Sequence, residues 1–281
     1  MRNDHAAGII VTARDIRLLR TLLVTRVLDS EQVGIIAGFI SVRRTNRRLL
    51  KLVRAGLLRR WFVGTVSGGQ RALYGLSRQG SLRIGENPSG LIHWKTDALI
   101  TNSQFLAHQQ AVNAVFIQAR FRPLPTGVAC RDWLSFKVPL SASVPLVPDG
   151  YFEIVMDSEN AVHPMFVEAD LGTESSTIWM RKVELYLKLA IGGEFERRFR
   201  QKRFRVLVLL PSERRREALR KAIARRTDKL FWFGTLDDLG REGLCAPIWL
   251  RPVGEEKLRL LGEPVDGGSR ISEKRESGWK S

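Results

Sequence analysis

Residues 148–189 read PDGYFEIVMDSENAVHPMFVEADLGTESSTIWMRKVELYLKL, and the fold turns on this stretch. Tyr151, Glu153 and Val155 alternate with Phe152, Ile154 and Met156, the two-residue period of a strand. Asp157 to Asn160 supplies a polar turn, and Met165 to Val167 begins a second strand that leads into Glu168 and Asp170. Residues two apart on a strand share a face, so Glu168 and Asp170 are expected to point the same way. If the strands pair, Asp149 at the start of the first lies beside the end of the second. Three carboxylates then converge, a density that repels unless a cation or a proton lies between them. Thr177 to Ala190 follows with helical period: Ile178, Trp179, Val183, Leu185, Tyr186, Leu187, Leu189 and Ala190 form one apolar arc. Lys182 is the only charged residue inside that arc. Its ammonium is expected either to snorkel outward or to reach back over the sheet toward Glu168 and Asp170.

Downstream, strand and helix alternate: Phe204 to Leu210, Ser212 to Ala224, Leu230 to Phe233, Leu236 to Leu239, then Pro247 to Arg251. That order implies an α/β core with the hairpin at its centre. Upstream, Asn102 to Phe121 reads as a long helix with Phe105, Val112, Val115, Phe116 and Ala119 inward, closed by Pro123 and Pro125. His108 on it is expected to be a packed or capping histidine, with a contact near the carboxylates as the alternative. A loop-rich stretch through Trp133 and Phe136 follows, and Asp132 within it is a further acidic candidate.

The first third is basic. Residues 1–90 carry 16 Lys and Arg against 5 Asp and Glu, which is +11 of a net +17. Thr12 caps a helix with Ile16, Leu19, Leu22 and Leu23 at helical spacing; Ser30 is expected to open a second helix and Ser41 a third, stopped by Gly56. Leu57 to Thr65 reads as a strand, Ser67-Gly68-Gly69 as a tight turn, and Arg71 to Leu76 as the returning strand. Three helices and then a basic hairpin is the order of a winged helix-turn-helix. On a wheel of the third helix, Val42, Leu49, Leu50, Leu52 and Val53 fall on one side, and Arg43, Arg44, Arg47, Arg48, Lys51 and Arg54 on the other. A purely cationic face repels itself unless phosphate neutralises it. Arg59, Arg60 and Arg71 on the hairpin would add backbone contacts. Trp61 and Phe62 are expected in the core.

Across all 281 residues, 44% are hydrophobic and 27% charged, which is globular rather than disordered. The basic balance points to a polyanion, nucleic acid first and an anionic membrane surface second. No apolar run approaches the ~18 residues of a membrane span. No amphipathic segment is left over for a membrane surface, and the N-terminus makes a poor signal peptide. Cys130 and Cys245 are isolated, and His5, His93, His108 and His163 are scattered. That argues against zinc and against a disulfide framework, and fits a reducing cytoplasm.

Pro148-Asp149 followed by Glu168-Ala169-Asp170 resembles the core of PD-(D/E)xK nucleases. The resemblance implies that Asp149, Glu168 and Asp170 hold Mg2+ or Mn2+, hard cations suited to oxygen ligands, for phosphodiester cleavage. This sequence has Asp170 at the usual lysine position, and Lys182 stands as a migrated lysine. A second resemblance covers most of the chain. The runs TARDIRLLRTL, RRTNRRLLKLVRAGLL, YGLSRQG, LAHQQAVNAV, PDGYF and FVEADLGTES, then Lys182 with Tyr186, resemble the replication-relaxation family of bacterial mobile elements. That resemblance implies a winged helix over residues 1–85 and a restriction-endonuclease-like α/β domain with a central mixed sheet over 101–264, in the bacterial cytoplasm at the nucleoid or a plasmid; the loop at Glu86 to Gly90 opens a linker over 86–100, and the polar, Gly/Ser/Lys-rich composition of 265–281 reads as a frayed tail. The resemblance further implies a role in plasmid replication, relaxation or mobilisation, with double-stranded DNA, other replication or mobilisation proteins, or a second copy of the chain as partners. The competing expectation is a non-catalytic transcription or replication regulator whose second domain serves assembly.

Overall fold

Helix α1 (Ala13–Thr25) begins at Thr12, and the cap is reciprocal. The Thr12 side chain accepts from the Asp15 backbone, and the Asp15 carboxylate accepts from the Thr12 N–H at 2.7 Å. After β1 (Val27–Asp29) comes α2 (Ser30–Ala37), capped by Asp29 rather than by Ser30. Asp29 ends a strand with the extended backbone a cap needs, and its Oδ1 accepts from Gln32 N–H at 2.9 Å. Ser41 opens α3 (Val42–Arg54), as the sequence indicates. Gly56, at φ +71°, lets the chain turn so that Leu57 N–H reaches the Leu52 carbonyl at 3.0 Å. The buried stripe of α3 is Thr45, Leu49 and Leu52, narrower than the wheel suggests: Val42 is 65% exposed, and Leu50 and Val53 are half-buried. Thr45 is tolerated inside because its hydroxyl donates to the Ser41 carbonyl at 3.1 Å.

The computed structural model describes residues 9–64, 68–88, 91–92, 95–100, 103–157 and 161–261. The expected turn at Ser67, parts of the 86–100 connection, the start of the long helix at Asn102, the turn residues Ser158 to Asn160 and the tail from 265 lie outside them. Strand β2 (Leu58–Gly64) pairs antiparallel with β3 (Gln70–Leu76) along its whole length. Helix α4 (Arg78–Arg83) follows. Strand β4 (Leu99–Ile100) completes a sheet of order β1-β3-β2-β4. Trp61 is fully buried, as expected, and explains Gly75 on the adjacent strand: a Cβ there would lie 2.7 Å from the Trp61 ring. Phe62 is instead half-buried, with the Arg60 guanidinium 5.0 Å above its ring.

Helix α5 (Gln104–Phe121) packs on both sheets, giving Phe116 and Ile117 to the core under α1–α3, and Val115 and Ala119 to the core beyond. Residues Val128–Leu134, expected as loop, form strand β5. It is an edge strand interrupted between Arg131 and Leu134, with Asp132 at φ +57°, so no two-residue period shows in its sequence. The remaining elements are β6 (Gly150–Met156), β7 (Ala161–Ala169), α6 (Ser176–Ile191), α7 (Glu194–Phe199), β8 (Arg205–Leu210), α8 (Glu213–Ala224), β9 (Phe231–Thr235) and α9 (Leu236–Glu242). The sheet order is β5-β6-β7-β8-β9, antiparallel through β7 and parallel from β7 to β9, with the β6–β7 pair inside it. Residues 247–251, expected as a strand, make isolated bridges instead, Phe233 with Leu250 and Trp249 with Leu258. Tyr151, Phe166, Val206 and Phe231 face α6 and α8, and Phe152, Val167 and Leu207 face α5 and α9. The class is α/β with a mixed sheet covered on both faces, and Glu168 lies at the carboxyl end of its parallel strands.

Candidate functional site

Gly150 pairs with Val167, and Asp149 N–H donates to the Val167 carbonyl at 3.2 Å, so the hairpin brings Asp149 beside Glu168. The Asp149 Oδ2 accepts from Ala169 N–H at 2.8 Å and meets His108 Nε2 at 3.1 Å. Glu168 and Asp170 both turn toward α6, yet they engage different groups there. Glu168 Oε2 accepts from Lys182 Nζ at 2.9 Å, and its Oε1 from the Tyr186 hydroxyl at 2.6 Å. Lys182 therefore reaches back over the sheet, to Glu168 but not to Asp170, and also donates to Glu174 Oε1 at 2.7 Å. Trp179, Val183, Tyr186 and Leu189 are the buried stripe of α6, and Lys182 rises between them with its ammonium 5.1 Å from the Trp179 ring centre.

Asp170 lies past the end of β7, where the chain bends at Gly172 (φ +85°). Its Oδ1 accepts from Gly172 N–H at 2.7 Å, which closes the turn. Its Oδ2 accepts from Trp179 Nε1–H at 2.8 Å and from Arg215 Nη2 at 2.7 Å, and Arg215 also donates to the Glu174 carbonyl at 2.6 Å. The side chain is fully buried and its oxygens are engaged. Three carboxylates at one point are therefore not what the fold assembles. Among the described residues, no group of three or more His, Cys, Asp or Glu is placed to hold a metal ion. Asp170 is committed to the turn, to Trp179 and to Arg215, whereas Asp149 and Glu168 remain adjacent. Asp132 is largely exposed and pairs with Arg131 at 3.5 Å on the edge strand.

Burial pushes the Glu168 carboxyl up to about 7; Lys182 opposes the rise and Asp149 adds to it. Burial works against the Lys182 ammonium, yet Glu168 and Glu174 together hold it above its ordinary range. The Asp149 hydrogen bond raises the His108 imidazole. Burial and the Glu168 charge hold the Tyr186 phenol well above its ordinary range, so it stays a donor. Glu168 has a folded value above its ordinary 4.5, so its contribution to stability is complete below that pH and is lost as pH rises through about 7. His108 acts in the same direction, complete below its ordinary 6.5 and lost above its raised folded value. The melting temperature is therefore expected to fall between about pH 5 and pH 8, and Glu168→Gln to flatten that fall, read by thermal melts across the range.

On α3, Arg43, Arg44, Arg47, Lys51 and Arg54 are all exposed. Arg43 and Arg44 occupy a first helical turn that holds no acid, where the helix dipole disfavours cations by about 0.3–1 kcal/mol each. A bound phosphate would reverse that sign. Arg48, which the wheel places on the same face, turns away. It donates from Nε to Asp15 Oδ1 at 2.8 Å and from Nη2 to the Ile10 carbonyl at 2.7 Å. Against burial, Arg48 and the Thr12 cap hold Asp15 below the usual carboxylate range. On the hairpin, Arg59 is half-buried, Arg60 pairs with Asp97 at 2.6 Å, and Arg71, half-exposed, pairs with Asp29 at 3.4 Å. Sequence reasoning missed Glu174, Trp179 as a donor, and Arg215, which no local pattern connects to Asp170; His108 met Asp149 by its less expected reading.

The fold and its two charged features define a class: a basic three-helix and hairpin portion joined to a mixed α/β sheet with a carboxylate–lysine cluster at its strand ends. The replication-relaxation family matches residues 19–202, more than half of the chain and inclusive of α3, Asp149, Glu168, Asp170 and Lys182. The chain belongs to the replication-relaxation family. Comparison with curated proteins and with solved structures gives no match. Membership associates the chain with replication and relaxation of mobile elements. Among the described residues, no helix is long and apolar enough to cross a membrane.

Proposed function

We propose that the chain is a double-stranded-DNA-binding protein of a plasmid or other mobile element, acting in replication, relaxation or mobilisation in the bacterial cytoplasm. On this reading residues 1–85 are a winged helix-turn-helix, with α3 as the recognition helix and the β2–β3 hairpin as the wing. Residues 101–264 are a nuclease-like α/β domain, reached through 86–100. Other replication or mobilisation proteins, or a second copy of the chain, would join it on the DNA. The observation that carries the reading is the α3 face: five exposed cations, two in a helical turn where only a bound anion offsets their cost. The test is titration of labelled duplex with the full chain and with charge-reversed α3.

A second reading is favoured by one observation, Lys182 Nζ within 2.9 Å of Glu168. A migrated lysine in a PD-(D/E)xK site would have to make that approach. In this reading Asp149 and Glu168 hold Mg2+ or Mn2+, which would supply an activated water for phosphodiester cleavage, and Lys182 sets the charge of Glu168. Asp170 takes no part in it, since its oxygens fasten the turn to α6 and α8. Supercoiled plasmid incubated with either cation is expected to become open-circular, and Glu168→Ala to remove that activity. Plasmid left supercoiled with every divalent ion tried leaves the cluster a structural ion pair and the protein a non-catalytic binder.

A further inference from the structure

At the edge of the sheet away from Glu168, the starts of β7, β8 and β9 surround a depression of about 780 Å3. Arg203, Arg205, Lys229 and Arg251 line it, and no carboxylate does among the described residues. Two of the cations are held in place. The guanidinium of Arg205 lies 4.9 Å from the Trp232 ring centre, and that of Arg251 lies 5.0 Å from it. Their other contacts are to backbone: Arg205 to the Leu260 carbonyl, and Arg251 Nη2 to the Asp228 carbonyl at 2.8 Å. The Arg251 Nε is buried without a hydrogen-bond partner. Burial and the neighbouring Arg251 charge lower the pKa of Arg205, the mark of like charges held close.

Two buried arginines of the covering helix α8 are treated differently, each set against a carboxylate. Arg220, on α8, is buried against Glu255 at 2.9 Å, and Arg216 lies 3.6 Å from Asp238. At the β7–β9 end the cations face one another and an open volume; the Asp228 charge acts on Arg251 from beside it, but no carboxylate lines the depression among the described residues. Trp232 is itself only 7% exposed, so it is a post for two guanidinium planes rather than a platform for a base. Paired planar guanidiniums match the oxygens of a phosphate.

We propose that this depression binds a phosphate of the nucleic-acid backbone, giving the α/β portion a DNA contact of its own. The run of β7 from His163 to Glu168 puts it about 17 Å from the carboxylate cluster. The choice of nucleic acid as the source of the phosphate rests on the DNA-binding reading above; the anion site itself does not.

The test uses the full chain and the double variant Arg203→Ala/Lys229→Ala, two exposed side chains. Duplex affinity is measured over a range of salt, and thermal stability with and without inorganic phosphate. The α3 reversal Arg43, Arg47 and Arg54 to Glu is measured in parallel. The expected result is a roughly tenfold loss of duplex affinity in the double variant, a salt slope shallower by about two, and loss of the stabilisation by phosphate seen in the parent chain. Loss of the phosphate effect with duplex affinity unchanged would overturn the backbone assignment in favour of a free phosphate. No change in either would overturn the site altogether. An α3 reversal that binds normally while the double variant does not would sink the α3 reading and leave this one standing.

Discussion

Reversing Arg43, Arg47 and Arg54 to Glu is expected to lower duplex affinity by a factor of about a thousand or more and to flatten its salt dependence. The three side chains are exposed, and the stripe that fixes α3 to its neighbours is Thr45, Leu49 and Leu52, so the fold should survive. Each cation that neutralises a phosphate contributes about 0.9 to the slope of log affinity against log salt. Losing three contacts and adding three repulsive charges should therefore remove a slope of about three as well as the affinity. Arg48 must be left in place. It is tied to Asp15 and to the Ile10 carbonyl, and its loss would loosen the start of α1 and mimic a binding defect by unfolding. Duplex affinity equal to that of the parent chain would refute α3 as the contact.

Asp170→Ala is expected to be the most destabilising single change at the cluster, by about 3–5 kcal/mol. The substitution strips Arg215 of its carboxylate, leaves the buried Trp179 Nε1–H without an acceptor and opens the turn at Gly172. For a chain of this size that corresponds to a fall of roughly 10 °C in melting temperature. Asp170→Asn should cost less, since an amide oxygen can still accept from Gly172, although its NH2 would then face the Trp179 and Arg215 donors. A melting temperature unchanged in Asp170→Ala would mean that the carboxylate is not committed to α6 and α8. It would then be available to a metal beside Asp149 and Glu168.

What the sequence disclosed follows from how far each cause reaches along the chain. Helices α3, α5 and α6 and the β6–β7 pair are long and periodic, and they stand where their periods put them. Strands β1 and β4 are too short to show a period, and β5 hides its own behind a break at Arg131. At the cluster, one lysine in an apolar arc leaves two outcomes open, snorkelling outward or reaching back toward Glu168 and Asp170, and the structure takes the second, to Glu168 alone. The fate of Asp170 was not foreseeable from spacing. The two-residue rule gives its side of the sheet correctly, but its partners Trp179 and Arg215 come from separate helices. Arg48 has the same lesson: the wheel assigns it to the basic face, and only the position of the α1 cap, distant in sequence, takes it away.

The most direct measurement is a titration of the unmodified chain with labelled duplex DNA at a series of salt concentrations. Contact through the exposed cations of α3 is expected to give an affinity that falls linearly with log salt, with a slope of about three to five. No binding at low salt, or an affinity independent of salt, would contradict it.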